Sequence, residues 1–336
     1  KMHNPDNPAA RSFRIGVDIG GTFTDVVMLD PATGKLANEK VLTTPDDPSE
    51  GVLNAVTRIL EAGDAVASSV QTVIHGTTLV ANALIERKGV KTALITTKGF
   101  RDVLEIGREL RYSIYDLFID MPVPLVPRSL RYEVDERITS DGKVLRGPDP
   151  EAVRALAGDL RAAGVEAIAI VFLHAFRNDE NERAVKEMLA AELPDVTICT
   201  SFEVMPQIGE YERTSTAVAN AFVQPIFGTY IARLVSEMSR LELPEDLFLM
   251  LADGGTVHHE TAVKYPIRLV QSGPAGGAQA AAVFGKLAQE PNILCFDMGG
   301  TTAKACLIQE GEALKTDNFE VARVFRFAKG SGLPLQ

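Results

Sequence analysis

The 336-residue sequence is 46% apolar and 24% charged, a balance typical of soluble globular proteins, and it is long enough for two domains. A net charge of −11, without any block rich in Lys or Arg, argues against a nucleic-acid surface and against an anionic membrane surface. An anionic ligand stays open, because backbone amides and metal ions also bind phosphate in acidic proteins. Three cysteines without CxxC spacing, no signal-like start and no apolar run of about 20 residues predict a reduced, cytoplasmic protein.

Strand and helix signals alternate along the first part of the chain, which predicts an α/β architecture. The runs RIGVDIGG and TDVVMLD indicate two strands joined by a polar turn, and KLANEKVLTT indicates a third. A helix is predicted from about Pro48 to Glu61, with Ser49 as its cap. The run VQTVIHGTT indicates a buried strand, LVANALIERKG a helix closed by Gly89, and KTALITTKG a further strand.

The segment from about 101 to 148 is less regular and is predicted to be an insertion, in which RYEVDERI and KVLRG form a β-hairpin. Alternation resumes with helices at Glu151–Ala163 and Asp179–Glu192 and strands at AIAIVFLHA and VTICTS, and residues 203–241 are mostly helical. The run LFLMLADGG indicates a strand, and a Gly-rich turn then opens an Ala-rich helix. We predict a first domain at 12–200 and the start of a second, incomplete domain at 201–336.

The polar turn in IGVDIGGTFTDVVML has an echo in LCFDMGGTTAKACLI near the end of the chain. In each copy an Asp ends a strand, a Gly-Gly pair makes a tight bend, and a Thr enters the next strand. Glycines allow close backbone approach to phosphate, Thr hydroxyls add donors, and a strand-end Asp can hold Mg²⁺ through waters. One such turn is equally well explained as a plain β-turn, but two copies in register favour a phosphate clamp.

Other phosphate-binding devices are absent from the sequence, since neither a Walker-type GxxxxGK motif nor a GxGxxG after the first strand occurs. The SGPAGG run from Ser272 to Gly277 opens a helix. It is equally consistent with an anion site at the helix N-terminus and with close packing of the helix against a strand.

Six motifs in order make the chain resemble the hydantoinase/oxoprolinase family, within the actin, sugar kinase and heat-shock ATPase (RNase H-like) superfold. They are GVDIGGTFTDVV, HGTTLVANALIERKG, TTKGFRDVLEIGR, EYERTSTAVANAF, SGPAGG and DMGGTTAK, and the resemblance runs from about Arg14 to the end of the chain. The family comprises ATP-using subunits or domains of hydantoinases, 5-oxoprolinase, caprolactamase and the acetone and acetophenone carboxylases. The resemblance therefore implies ATP and Mg²⁺ as cofactors, two α/β domains around a nucleotide cleft, and a second, B-type subunit or domain as partner in a hetero-oligomer.

The resemblance also implies roles for residues that match the family motifs. Asp18 and Asp297 would be the catalytic and magnesium-side carboxylates. The first phosphate hairpin would comprise Asp18, Gly20, Gly21, Thr22 and Thr24. The second would comprise Asp297, Gly299, Gly300, Thr301 and Thr302.

Four further features leave alternatives open. His75 is a candidate catalytic residue, although a lone His is more often structural, and the hydroxyls of Thr77 and Thr78 could meet phosphate or substrate. Lys304 stands where many family members carry Asp, and it could meet a phosphate or form a salt bridge. The charges of EYERTS indicate a solvated helix face or interdomain salt bridges, or, by the family resemblance, a place near the substrate. The pair His258–His259 has no third ligand at metal spacing and is interpreted as a surface loop.

The resulting hypothesis is a subunit that uses ATP to phosphorylate a cyclic amide, such as a hydantoin, oxoproline or lactam, for ring-opening hydrolysis. Within the same family, an ATP-dependent ketone carboxylase subunit is the alternative. Outside it, a small-molecule kinase and a non-enzymatic actin-like or chaperone ATPase are weighed; the last would leave HGTT and EYERTS unexplained.

Overall fold

The computed structural model describes residues 12–44, 47–298, 303–316, 319–325 and 328–336. Within these ranges the strands are β1 Phe13–Ile19, β2 Phe23–Leu29, β3 Leu36–Leu42, β4 Val70–Thr77, β5 Thr92–Thr97, β6 Arg131–Val134, β7 Arg137–Ile138, β8 Val144–Arg146, β9 Ala167–Val171, β10 Thr197–Thr200, β11 Leu247–Met250, β12 Thr256–His258, β13 Ile293–Met298, β14 Ala303–Gln309, β15 Glu312–Ala313, β16 Phe319–Val321 and β17 Leu333–Leu335. The helices are α1 Pro48–Ala62, α2 Leu79–Ile85, α3 Val103–Ile106, α4 Pro150–Ala162, α5 Glu180–Glu192, α6 Ser201–Val204, α7 Glu210–Arg240, α8 His259–Lys264 and α9 Ser272–Ala288. The predicted α/β class is thereby confirmed.

The contacts among the described residues group the chain into two compact units, each built from two stretches of sequence. Unit 1 takes residues up to 81 and 227–315, and unit 2 takes 82–226 and 316–336. The predicted domains, 12–200 and 201–336, are instead two continuous stretches of sequence, and this division stays a prediction.

Unit 1 contains a six-stranded sheet in the order β12-β11-β4-β1-β2-β3. The meander β1-β2-β3 is antiparallel, whereas β4 joins β1 and β11 in parallel register. Burial alternates strictly along β1, so one face of this strand packs in the core. Helix α1 covers that meander with Val52, Val56 and Ile59, which recur at the spacing of one helical face.

Helix α9 connects the two sheets of unit 1. It packs against β4 and β11 of the large sheet and against β13 and β14 of the small antiparallel sheet β13-β14-β15. Both glycine hairpins therefore belong to one compact unit, and the helix opened by SGPAGG lies between their sheets.

Unit 2 is built on a parallel sheet in the order β10-β9-β5-β6. Every residue of β5 and β9 is buried, as expected for parallel strands covered on both faces. Apolar side chains of α4 and α5 fill the core with those of the sheet, including Leu160, Val185 and Leu189. Helix α4 begins with Pro150 after Asp149, whose carboxylate accepts a hydrogen bond from the Glu151 N–H at 3.1 Å.

Three local predictions are corrected by the structure. The cap of α1 is Asp47, which accepts from the Ser49 N–H, so Ser49 lies inside the first turn. Helix α2 ends at Ile85, before Gly89; a Cβ on Gly89 would lie 2.2 Å from the Phe222 ring, so this glycine serves packing. The run RYEV forms β6 of the parallel sheet, and the predicted hairpin is confined to β7 and β8.

Among the described residues, no helix has the length and hydropathy required to cross a bilayer.

Candidate functional site

The first glycine hairpin exposes its bend and places an acidic pair behind it. The predicted pairing of the two strands is confirmed, with Asp18 opposite Asp25 and Ile19 opposite Thr24. The Gly20 N–H donates to the Phe23 carbonyl at 2.9 Å, and a Cβ on Gly20 would lie 3.0 Å from that oxygen. A side chain would therefore crowd this bend, and the exposed backbone beyond it is open to a ligand.

Asp18 lies against two further glycines from distant parts of the chain. In the parallel pair β1–β4 it stands opposite Gly76. A Cβ on Gly76 would be 2.8 Å from the Asp18 Oδ1, and one on Gly273 would be 3.6 Å from the same atom. The end of β4 and the first turn of α9 thus form a glycine-lined support for the carboxylate of Asp18.

Helix α9 is held at this position by Ser272. Its buried hydroxyl donates to the Thr77 carbonyl at 3.1 Å and accepts from the Thr77 N–H at 3.4 Å. Gln271 precedes the helix in a left-handed conformation (φ 71°), without a side-chain cap. The N-terminus of this 17-residue helix, with its partial positive charge, therefore faces the region of Asp18.

The second hairpin repeats the register of the first. Strands β13 and β14 pair with Asp297 opposite Lys304 and Met298 opposite Ala303, as Asp18 pairs with Asp25 and Ile19 with Thr24. Lys304 accordingly occupies the position of Asp25. The predicted phosphate ligands Gly299, Gly300, Thr301 and Thr302 lie outside the described residues.

Charged residues of both hairpins act on Asp18. Its pKa is raised above the ordinary aspartate value, first by partial removal from water and then by the negative charge of Asp25. Lys304 lowers this pKa and Asp297 raises it, so residues of both hairpins lie close enough to act on one carboxyl group. Asp25 pairs with Lys40 at 2.6 Å. The remaining charged groups around Asp18 are its own carboxylate and that of Asp297 against the ammonium of Lys304, so negative charge is in excess.

This donor set suits a hydrated Mg²⁺ ion. The two accessible carboxylates of Asp18 and Asp297 are hard oxygen ligands, and glycine at 76 and 273 leaves space around the first of them. Their charge is only partly balanced by Lys304. A divalent cation would lower the electrostatic cost of holding both groups ionised.

The threonines of the predicted phosphate site point in different directions. Thr22 is exposed at the bend, whereas Thr24 is fully buried, with its hydroxyl 3.2 Å from that of Thr43. Thr77 Oγ1 accepts from the Leu79 N–H at 3.1 Å at the start of α2, and the Thr78 hydroxyl donates to the Ile19 carbonyl at 3.3 Å. Of the four described threonines of this site, Thr22 is the best placed for a ligand.

His75 lies in the interior of unit 1. Its Nε2 is 2.8 Å from the Tyr230 hydroxyl, its Nδ1 is 3.4 Å from the Val17 carbonyl, and burial lowers its pKa to about 4. The imidazole is therefore neutral near pH 7 and has no exposed surface. This geometry favours a role in fixing β4 against α7.

The EYERTS motif, interpreted as either a solvated face or a part of the site, is buried at the start of α7 in unit 2. Glu212 accepts from the Arg108 guanidinium. The fully buried Arg213 donates to the Phe172 carbonyl at 2.7 Å and to Glu210 at 2.6 Å. The interpretation as a solvated helix face is wrong, because these charges are paired inside unit 2.

Sequence reasoning overlooked Gly76, Gly273 and Ser272 as parts of the site. The signal was present, since Gly76 belongs to HGTT and the other two to SGPAGG. The sequence could not show that Gly76 of HGTT and Gly273 of SGPAGG lie beside the carboxylate of Asp18.

Family models match most of the chain. One for the hydantoinase/oxoprolinase N-terminal region matches residues 14–193, and one for hydantoinase/oxoprolinase matches residues 213–329. The chain is 34% identical over 307 residues to caprolactamase subunit alpha of Pseudomonas jessenii, covering 90% of this chain and 44% of that one. It is 33% identical over 317 residues to the acetophenone carboxylase gamma subunit of Aromatoleum aromaticum, covering 88% and 42%.

Solved structures agree with these sequence matches. The nucleotide-free structure of acetone carboxylase, described as an ATP-dependent carboxylation system, superposes with a TM-score of 0.82 at 28% identity, covering 97% of this chain and 47% of that one. The crystal structure of the ATP-dependent caprolactamase from Pseudomonas jessenii gives a TM-score of 0.78 at 34% identity, covering 88% and 43%. The chain thus spans less than half the length of these relatives.

Proposed function

Because the chain belongs to the hydantoinase/oxoprolinase family, we propose that it carries the ATP-binding hairpins of an enzyme that activates a cyclic amide for ring-opening hydrolysis. In this reaction the amide oxygen takes the terminal phosphoryl group of ATP, ADP leaves, and water then opens the ring and releases phosphate. The observation that carries the proposal is that the two hairpins share one strand register and lie in one compact unit, with α9 packed against both of their sheets.

Each part of the cluster has a distinct role in this proposal. Asp18 and Asp297 would hold Mg²⁺, whose positive charge draws electron density from the phosphates and orients them. The exposed backbone of Gly21 and the hydroxyl of Thr22 would donate to phosphate oxygens, while Gly20 shapes the bend.

Lys304 and the N-terminus of α9 supply positive charge at the same place. Lys304 favours the ionised form of Asp18 and is within electrostatic reach of a phosphate bound there. The uncapped first turn of α9 stabilises anions by its N–H groups and dipole. We propose that both contribute to nucleotide binding, with Gly299, Gly300, Thr301 and Thr302 completing the second hairpin.

The choice of substrate class follows the relatives. Identity to the caprolactamase subunit, 34%, supports a cyclic amide. The TM-score of 0.82 to acetone carboxylase supports the second candidate, an ATP-dependent carboxylation of a ketone. In both cases a second subunit or domain would complete the reaction, since the relatives are named as subunits.

The site assignment is tested by Asp297→Asn in the full-length protein combined with its partner subunit. We expect ATP turnover, measured as phosphate release, to fall at least about 100-fold, because a single well-placed electrostatic group is worth that much in the transition state. Glu312→Gln is the matched control, since it removes an exposed carboxylate from the same small sheet. Wild-type turnover in Asp297→Asn, with the circular dichroism spectrum unchanged, would refute the role of the second hairpin.

The substrate assignment is tested separately with the wild-type complex. Phosphate release is measured with a panel of hydantoins and lactams and, in parallel, with ketones plus bicarbonate. Stimulation by a cyclic amide, with the ring-opened product detected by mass spectrometry, is the expected result. Stimulation by ketone and bicarbonate alone would replace the leading proposal by carboxylation. A stable phosphorylated product formed without a partner would indicate a small-molecule kinase.

A further inference from the structure

A cluster of metal-binding side chains lies at the edge of the six-stranded sheet, outside the hairpin cluster. Strand β12 is the edge strand and ends at His258, and helix α8 begins at His259. The earlier interpretation of this pair as a surface loop is wrong, because the two histidines join a paired strand directly to a helix. Glu260, the next residue, places a carboxylate near both imidazoles, which sequence spacing did not reveal.

The three side chains already converge. One potential ligand atom from each of His258, His259 and Glu260 lies within 4.8 Å of the other two. The imidazole centroids are 4.2 Å apart with their planes inclined by 38°. His258 Nδ1 is 3.8 Å from a carboxylate oxygen of Glu260. Small side-chain rotations would bring such atoms to the shorter distances of a common ion.

One atom of this cluster points to a missing ligand. The Nδ1 atom of His259 is buried and has no hydrogen-bond partner among the described residues, which is costly for a polar atom. Asp246 Oδ1 lies 3.6 Å from His258 Nε2, whereas Glu260 faces Nδ1 of the same ring, so Asp246 orients the imidazole from the other side. A bound cation would satisfy Nδ1 of His259 and balance the carboxylate of Glu260.

We propose that His258, His259 and Glu260 bind a divalent metal ion of the zinc class, with Asp246 holding the ring of His258. Two imidazoles with carboxylates are typical of zinc, whereas magnesium and calcium prefer sites made of oxygen ligands alone. The ion would tie the edge strand β12 to α8. This site uses different residues from the proposed nucleotide site and does not depend on that assignment.

The test is a zinc titration of the full-length protein, purified without a polyhistidine tag and stripped with a chelator. Isothermal titration calorimetry should show one zinc ion per chain with a Kd in the micromolar range or tighter. Substitution of Co²⁺ should give visible absorption bands of a tetrahedral or five-coordinate site. Both signals should weaken at least about tenfold in His258→Asn and in His259→Gln.

The variants separate metal binding from folding. Asparagine at 258 retains a side-chain acceptor for the Glu260 N–H, the role that His258 has at the start of α8. Glu245→Gln removes an exposed carboxylate beside Asp246 and should bind zinc like the wild type. Absence of stoichiometric binding in the wild type would overturn the proposal. Zinc affinity equal to that of the wild type in both histidine variants would also overturn it.

Discussion

Replacement of Gly76 by alanine is expected to weaken nucleotide binding while leaving the fold intact. The new Cβ would lie 2.8 Å from the Asp18 Oδ1, closer than such contacts occur in proteins. The contacted atom is the end of a solvent-accessible side chain, so the carboxylate can move away without disturbing the backbone. The substitution would thus displace the carboxylate of Asp18, and the proposed function requires this carboxylate to be held in place.

The size of the effect follows from the distances. To reach ordinary van der Waals contact the carboxylate must withdraw by about 0.6 Å. A displacement of about 1 Å in a catalytic group can cost about 100-fold, so we expect a loss of roughly tenfold, or ~1.4 kcal/mol. The free energy of unfolding should change by less than about 1 kcal/mol, because no core atom is displaced.

Two glycines of the same unit provide a graded control. A Cβ on Gly273 would be 3.6 Å from the same oxygen, and one on Gly16 in β1 would meet no atom within 4 Å. ATP affinity, measured by calorimetry in the presence of Mg²⁺, should therefore fall most in Gly76→Ala, little in Gly273→Ala and not at all in Gly16→Ala. Chemical denaturation followed by circular dichroism checks the fold, since the chain has no Trp.

Wild-type affinity in Gly76→Ala would refute the reasoning that the position of Asp18 controls nucleotide binding. Equal losses in all three variants would also refute it, because distance to Asp18 would then be irrelevant.

Three further predictions follow from the charged and buried groups. In Lys304→Met the pKa of Asp18 should rise further, since Lys304 lowers it, and this is measured by ¹³C NMR of labelled Asp carboxyls. In Tyr230→Phe the free energy of unfolding should fall by about 1–3 kcal/mol at pH 7, because Nε2 of the buried His75 loses its hydrogen-bond partner. Burial raises the pKa of Glu182 from 4.5 to about 7. Its stabilising contribution is therefore complete below pH 4.5 and is lost as pH rises towards 7, by up to about 3 kcal/mol, and Glu182→Gln should remove this slope in urea-unfolding series.

Each of these has an outcome that contradicts it. An unchanged Asp18 titration in Lys304→Met would show that the second hairpin does not approach the first. Tyr265, a half-buried tyrosine of the same unit, is the control, and equal stability of Tyr230→Phe and Tyr265→Phe would remove the role assigned to the buried hydrogen bond. A pH slope that persists in Glu182→Gln would mean that another group causes it.

Local structure was largely predictable because it depends on patterns a few residues long. Apolar runs on both sides of a polar Gly-Gly turn predicted both hairpins, and their shared register follows from equal spacing of Asp18 and Asp25 and of Asp297 and Lys304. Element ends were less predictable: neighbouring polar residues compete for the cap of α1, and Asp47 rather than Ser49 takes that position.

The charged motif EYERTS illustrates the limit of such patterns. Charge near a helix start usually indicates a solvated face, yet Arg213 is fully buried. Its partners are the Phe172 carbonyl and Glu210, and the first of these comes from a different part of the chain. A sequence window does not contain such a partner, so burial of the charge could not be predicted from it.

Short-range chemistry in the sequence therefore specified the two hairpins, the glycine-rich helix start and the family to which they belong. The placement of Asp18 against Gly76 and Gly273, and near Lys304, depends on long-range packing of α9 between two sheets. Other long-range contacts place Thr24 beside Thr43 and His75 beside Tyr230 of α7 in the interior, whereas Thr22 is exposed. Alternation along a strand assigns its residues to two faces, but only the elements that cover each face determine which one meets a ligand.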